Sequence, residues 1–296
     1  MFQVEEIRIQ LPHIDLAARV YGPEDGWPVL ALHGWLDNAM TFELLAPKLQ
    51  GVRIVALDMA GHGHSGRRGP GAGYQLWDYA LDALMAAHQL GWQRFSLLGH
   101  SLGGIISVLI AAAVPERIHS LALIDGLVPD TGEAAQSPKK LGEALQAQID
   151  LADKKKTIYS SIEQAVEARK RGLIAVSQQA AELLASRGLS PVAGGYSWNT
   201  DQRLTLPSPL RLTNAHAMAF VNAVECPTSL VLAEQGLLLN IPEFMQFIGC
   251  LDKPNFQVHR LPGGHHLHVN DEAGACAVAD CFNTFFAASL ADTGCR

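Results

Sequence analysis

Hydrophobic positions along this chain follow two alternating rhythms. Near-continuous apolar runs occur at Pro28–Leu32 (PVLAL), Val52–Leu57 (VRIVAL), Phe95–Leu98 (FSLL) and Leu121–Ile124 (LALI). A strand with one wet face alternates apolar and polar residues. A run without polar partners reads as a strand covered on both faces, as in a parallel sheet packed between helices. Helix-like stretches, such as Trp77–Leu90 and Leu102–Val114, lie between these runs. The alternation predicts a doubly wound α/β sheet. Ahead of it, Val4–Ile9 and Ile14–Val20 alternate like an antiparallel pair.

The strand rhythm stops after Leu127. From Val128 to Val224 the pattern is mainly helical, with no strong buried-strand run. Ser160 and Glu163 have capping-box spacing ahead of an amphipathic stretch that ends near Gly172. Pro207 and Pro209 interrupt the pattern later. Strands return at Thr228–Leu232 and Phe256–Leu261, and a closing helix is expected over Ala273–Ala288. The expected organisation is a core of residues 1–127 and 225–296, split by a helical insertion, 128–224, of the size of a small second module. No internal repeat or low-complexity segment is visible.

Composition narrows the picture mainly by exclusion. With 296 residues, 48% hydrophobic and 17% charged, the chain is globular and long enough to bury a core without disulfides or metals. The net charge of −7 argues against nucleic acid or an anionic membrane as partner. The longest basic run, Lys154-Lys155-Lys156 after Asp153, reads as a solvated helix face, with a phosphate or partner contact as the alternative. Five cysteines (Cys226, Cys250, Cys276, Cys281 and Cys295) form an odd set without CxxC spacing, which suggests neither a disulfide framework nor a zinc knuckle. The opening Met-Phe-Gln-Val-Glu-Glu has no signal-peptide pattern, and no uninterrupted apolar run is long enough to span a membrane. The expectation is a cytoplasmic protein with no membrane span and no cofactor, acting on a small molecule. Oligomeric state is not encoded in these patterns.

The strongest chemical signal is Gly99-His100-Ser101-Leu102-Gly103-Gly104, directly after the run FSLL and before an apolar helix. A tight strand-to-helix turn holds its central serine above the sheet, and requires small residues where strand and helix approach. The helix N-terminus then offers backbone N–H groups to an oxyanion. Ser101 is therefore the candidate nucleophile. His33-Gly34-Trp35 ends the run PVLAL, and its loop places Trp35 as a second oxyanion donor beside Leu102. His33 and His100, within these motifs, are candidates to touch substrate. After the last apolar strand comes Pro262-Gly263-Gly264-His265-His266-Leu267-His268. A serine nucleophile needs an imidazole from a late loop, and His265 is the expected base, with His266 and His268 as rivals. The loop Asp58 to Gly66 is read as shaping a turn. No metal site is expected.

These signals, in the order elbow, helical insertion and histidine loop, resemble the α/β-hydrolase superfamily over nearly the whole chain. His33-Gly34-Trp35-Leu36-Asp37-Asn38, Gly99-His100-Ser101 and Asn199-Thr200-Asp201-Gln202-Arg203-Leu204 are similar to the serine hydrolase-like (kraken-type) family. The resemblance implies an eight-stranded, mostly parallel sheet, a helical cap over the site, and oxyanion donors at Trp35 and Leu102. The pattern departs at the acid. Superfamily members usually carry it in a Gly-x-x-Asp stretch after the strand matching Ser229–Leu232, where this chain has Ala233-Glu234-Gln235-Gly236. Two acids are available: Asp125, ending LALI, where certain haloalkane dehalogenases place theirs, and Glu234. The chemistry implied is ester or thioester hydrolysis through an acyl-enzyme, with Tyr196 and Trp198 of the insertion as candidates to shape the pocket. Carbon–carbon bond hydrolysis, or a non-catalytic binding protein of the same fold, would use the same residues.

Overall fold

The computed structural model describes residues 4–249 and 251–291; the expectations placed on the first three residues, Cys250 and Cys295 lie outside the described residues. In chain order the strands are β1 (Glu5–Leu11), β2 (Ile14–Tyr21), β3 (Trp27–Leu32), β4 (Val52–Leu57), β5 (Phe95–His100), β6 (Ile118–Ile124), β7 (Leu189–Val192), β8 (Gly195–Trp198), β9 (Thr228–Gln235) and β10 (Phe256–Gly264). The helices are α1 (Leu76–Gln89), α2 (Leu102–Ala113), α3 (Ser137–Asp150), α4 (Ile162–Lys170), α5 (Gln178–Gly188), α6 (Asn214–Ala223), α7 (Pro242–Gly249), α8 (Leu267–Asn270) and α9 (Glu272–Ala291).

Eight strands form one sheet in the order β1-β2-β4-β3-β5-β6-β9-β10. The β1–β2 and β2–β4 pairs are antiparallel, and every pair from β4 to β10 is parallel. The apolar runs lack polar alternation because both faces are covered. Leu30, Leu32, Leu97, Leu121 and Leu123 point to the face packed by α1 and α2. Their neighbours Val29, Ala31, Leu98, Ala122 and Ile124 point to the other, against Phe42, Phe282 and Phe286. A period of two is thus present but apolar in both phases. Each such fully buried Leu or Ile contributes about 1.5–3 kcal/mol over its exposed state.

Helix α9 is long and apolar enough to cross a membrane by length and composition, with a mean hydropathy of 1.3. Its buried residues Val278, Phe282 and Phe286 pack against the same face of the sheet as Phe42, as the apolar stripe of a core helix does.

Among the described residues, segment 128–224 adds no strand to the large sheet. It carries α3 to α6 and, beside these helices, the hairpin β7–β8, whose turn is Ala193-Gly194 with Gly194 at φ +89°, and whose second strand opens on Gly195 at φ +146°. The cap of α4 also shifts by one residue: Ser161, not Ser160, accepts the Gln164 N–H, at 3.3 Å. The segment is tied to the sheet side by buried polar contacts. Arg187 Nε donates to Asp58 at 2.8 Å and its Nη1 to Glu6 at 2.8 Å. Asn38 Nδ2 donates to the Leu184 carbonyl, and Tyr74 Oη to Asp201.

Helix α2 crosses β3 so closely that a Cβ on Gly103 would overlap the Leu32 carbonyl oxygen. Gly103→Ala is expected to destabilise the fold by about 1–3 kcal/mol through overpacking. Gly142→Ala, on the exposed interior of α3 with no atom within 4 Å of the new Cβ, should stabilise by about 0.5–1 kcal/mol. Urea unfolding of both variants checks the pair; equal effects would contradict the close crossing.

Candidate active site

Ser101 sits between β5 and α2 at φ +52°, ψ −116°, a conformation that L residues rarely occupy. The turn is held by Ser101 N–H donating to the Ile124 carbonyl at 3.0 Å and Gly103 N–H to the His33 carbonyl at 3.1 Å. Gly99, Gly104 and Gly126 clear the space beneath: a Cβ on Gly99 would come within 2.5 Å of the Gly104 Cα. The strain is therefore imposed by a backbone crossing in which side chains have no room.

His265 lies at the end of β10. Its Nδ1 is 2.6 Å from Asp125 Oδ2. A carboxylate can only accept, so Nδ1 carries a proton, and in the neutral ring Nε2 then holds the lone pair. Asp125, at φ +42°, follows β6 and also accepts from the Ala233 and Leu237 N–H groups at 3.2 and 3.3 Å. Gly236 makes this possible, because a Cβ there would overlap the Asp125 carboxylate. Glu234, the other acid considered, points to solvent where β9 leaves the core. Ser101, Asp125 and His265 line one cavity of about 400 Å³, walled by Val128, Leu238, Phe244 and Phe247 among others.

On the loop after β3, Trp35 Nε1 donates to the Leu204 carbonyl at 2.9 Å. The next residue, Leu36, is held at φ +62°, with its N–H donating to His62 Nε2 at 3.3 Å. Among the described residues, the backbone N–H groups of Trp35 and Leu102 have no acceptor.

The other candidates for substrate contact are placed elsewhere. His33 is fully buried, with Nδ1 donating to the Gly34 carbonyl at 2.7 Å and Nε2 accepting from Met59 N–H at 2.9 Å. Both ring nitrogens are spent on backbone, so His33 ties two loops together. His100 is likewise buried; its Nε2 donates to the His265 carbonyl at 3.0 Å, and it braces the histidine loop from below. Tyr196 and Trp198 lie on the β7–β8 hairpin. Trp198 faces a different cavity, and Tyr196 pairs through its backbone with Tyr159.

A second polar knot lies beneath the site. Asp37, buried, accepts from His266 Nε2 at 3.0 Å and from Arg169 Nη2 of α4 at 2.9 Å, and His100 Nδ1 is 3.8 Å away. Burial pushes the Asp37 carboxyl up, but His266 and Arg169, with His100, outweigh it and hold it well below the usual range. Asp37, His100 and His266 could present ligand atoms within 4.8 Å of one another. His266 Nε2 is bonded to Asp37, His100 Nδ1 has no hydrogen-bond partner among the described residues, and the Arg169 guanidinium already occupies the carboxylate, so a cation there would meet a fixed positive charge. Sequence reading quoted Asp37 only within a motif and gave Arg169 no role.

Burial pushes His33 down to about 4, and burial together with neighbouring histidines pushes His62 and His268 to about 3. Unfolded histidine titrates near 6.5, so between that value and about 4 the unfolded chain binds more protons than the native one. Stability is full above about pH 6.5 and falls as pH drops, by about 1.4 kcal/mol per pH unit for each such histidine. Both ring nitrogens of His268 lack partners among the described residues. His268→Phe should therefore flatten the slope of unfolding free energy between pH 6 and pH 5 by up to about 1.4 kcal/mol per pH unit. Urea titrations at several pH values test this; an unchanged slope would refute it.

Comparison with known proteins agrees with this architecture. Residues 28–271 match the α/β-hydrolase fold family. A serine hydrolase-like protein of Danio rerio is 32% identical over 93% of this chain and 87% of its own. Human serine hydrolase-like protein 2 is 28% identical over 94% of each chain. The crystal structure of a hypothetical protein from Pseudomonas aeruginosa PAO1 superposes with a TM-score of 0.93 at 66% identity, over 96% of this chain and 99% of that one. A thioesterase domain from the curacin biosynthetic pathway shares the fold, with a TM-score of 0.80 at 24% identity over 94% of this chain and 98% of its own. The chain is therefore a member of the α/β-hydrolase fold family and, within it, of the serine hydrolase-like proteins.

Proposed function

We propose that this protein hydrolyses a carboxylic ester or thioester through an acyl-enzyme. The observation that carries the reading is the 2.6 Å contact between His265 Nδ1 and Asp125 in the cavity that Ser101 lines. Ser101 Oγ attacks the carbonyl carbon while His265 Nε2 takes its proton, and Asp125 holds the ring and stabilises the imidazolium. The Trp35 and Leu102 N–H groups, which point to no internal acceptor, take the oxyanion. His265 then protonates the leaving group, and water, deprotonated by the same nitrogen, releases the acid and restores the serine. In this reading segment 128–224 is a cap that shapes the substrate cavity. A cytoplasmic setting is part of the proposal, supported by free thiols at Cys226, Cys276 and Cys281.

A fluorophosphonate probe should label the wild-type protein and leave Ser101→Ala unlabelled; an unlabelled, folded wild type would overturn the proposal. Asp125→Asn keeps the shape but favours the wrong tautomer. It should lower kcat/KM on p-nitrophenyl esters by about 10³–10⁴-fold, whereas Glu234→Gln should leave it within about twofold. Steady-state kinetics on the two variants makes the comparison, and the reverse ranking would reassign the acid.

A further inference from the structure

The lysine run that the sequence presents as a solvated helix face lies instead on the wall of a cavity. This cavity, of about 340 Å³, is lined by Lys154, Lys155, Lys156 and Arg169 and by the indoles of Trp35 and Trp198. Lys156 Nζ donates to the carbonyls of Trp198 and Thr200 at 3.0 and 2.7 Å, which fixes its ammonium at the wall. Among the described residues, no carboxylate forms an ion pair with any of the three lysines. Asp201, the carboxylate in the described lining, is bonded to Arg203 and Tyr74, and Arg169 is balanced by Asp37. Three lysines thus line one concave site without an ion-paired carboxylate among the described residues, on a protein whose net charge is −7. Burial, and then Arg67, lower the pKa of Lys156, while Asp201 opposes them.

The cavity has a place relative to the chemistry. The Ser101 cavity shares Ile105, Pro129 and Asp130 with a larger one of about 620 Å³. That one in turn shares Trp35 and Thr205 with the cationic cavity. Trp35 therefore borders both the larger cavity and the cationic one.

We propose that this cavity binds an anionic group, phosphate or carboxylate, carried on a flat apolar body, and that it recognises the end of the substrate remote from the reacting carbonyl. Lysines without a carboxylate partner supply the charge complement, and the tryptophans supply the apolar contact. The link to substrate rests on the reading of Ser101 as nucleophile; the binding site itself does not.

Calorimetric titration of Ser101→Ala protein, which needs no turnover, separates the two. The probes are 1-naphthyl phosphate, 1-naphthoate and neutral 1-naphthol. At least one anion should bind about tenfold more tightly than naphthol, and comparison of the two anions identifies the preferred head group. The Lys154→Glu/Lys155→Glu double variant alters two exposed side chains, and circular dichroism confirms that it is folded. It should weaken the anion by about tenfold or more and leave naphthol unchanged. Equal affinity for naphthol and both anions, no binding of any probe, or full retention of anion binding by the double variant would each overturn the proposal. If the anion binds but fluorophosphonate does not label the wild type, the cavity stands as a binding site and the hydrolase reading fails.

Discussion

Asp37 is a carboxylate almost wholly withdrawn from water, and such a group is tolerable only if its surroundings satisfy it. Its two partners come from distant stretches of the chain: Arg169 from α4 of the inserted segment and His266 from the loop after β10. Because Asp37 lies two residues beyond Trp35, satisfying one charge fixes three things together. The loop after β3 is set, the histidine loop is set against it, and the insertion is pulled onto the sheet. Removing one partner from such a group leaves a buried charge uncompensated, at a cost of about 3–5 kcal/mol, more than any surface ion pair supplies.

The acid of the site follows a similar logic of local supply. An imidazole needs a carboxylate at Nδ1, and the adjacent parallel strands β6 and β9 end close enough for either to provide it. Here β6 provides Asp125, and the loop after β9 provides the setting for it: two N–H donors, from Ala233 and Leu237, and at Gly236 a position without a side chain. What is an acid in the common superfamily pattern is here part of a cradle for one.

The sheet was legible in the sequence because burial on both faces removes polar residues from the strands, and Ser101 and His265 because their turns demand small neighbours. The choice between Asp125 and Glu234 was not legible. It depends on strand phase at the end of β9, where Ala233 turns inward and Glu234 outward. A histidine beside a motif looks reactive in sequence, whereas in the structure His33 bonds main-chain groups through both ring nitrogens and His100 through Nε2. The β7–β8 hairpin was missed because its strands are four residues each, too short for a period to show. The Arg169–Asp37 pair spans 132 residues of chain, and no local pattern announces a contact of that range.

The separation between sheet and insertion has a consequence for descent. Ser101, Asp125 and His265 all sit at strand ends, where register with a neighbour constrains every change. The segment 128–224 contributes Val128 and Asn214 to the wall of the same cavity but pairs with no strand of the large sheet. Substitutions, insertions or deletions in it alter what fits without disturbing a single ladder bond beneath the serine. Lineages carrying this framework are therefore free to reshape the cavity wall while the sheet beneath it stays unchanged, and divergence among them should accumulate in the inserted segment first.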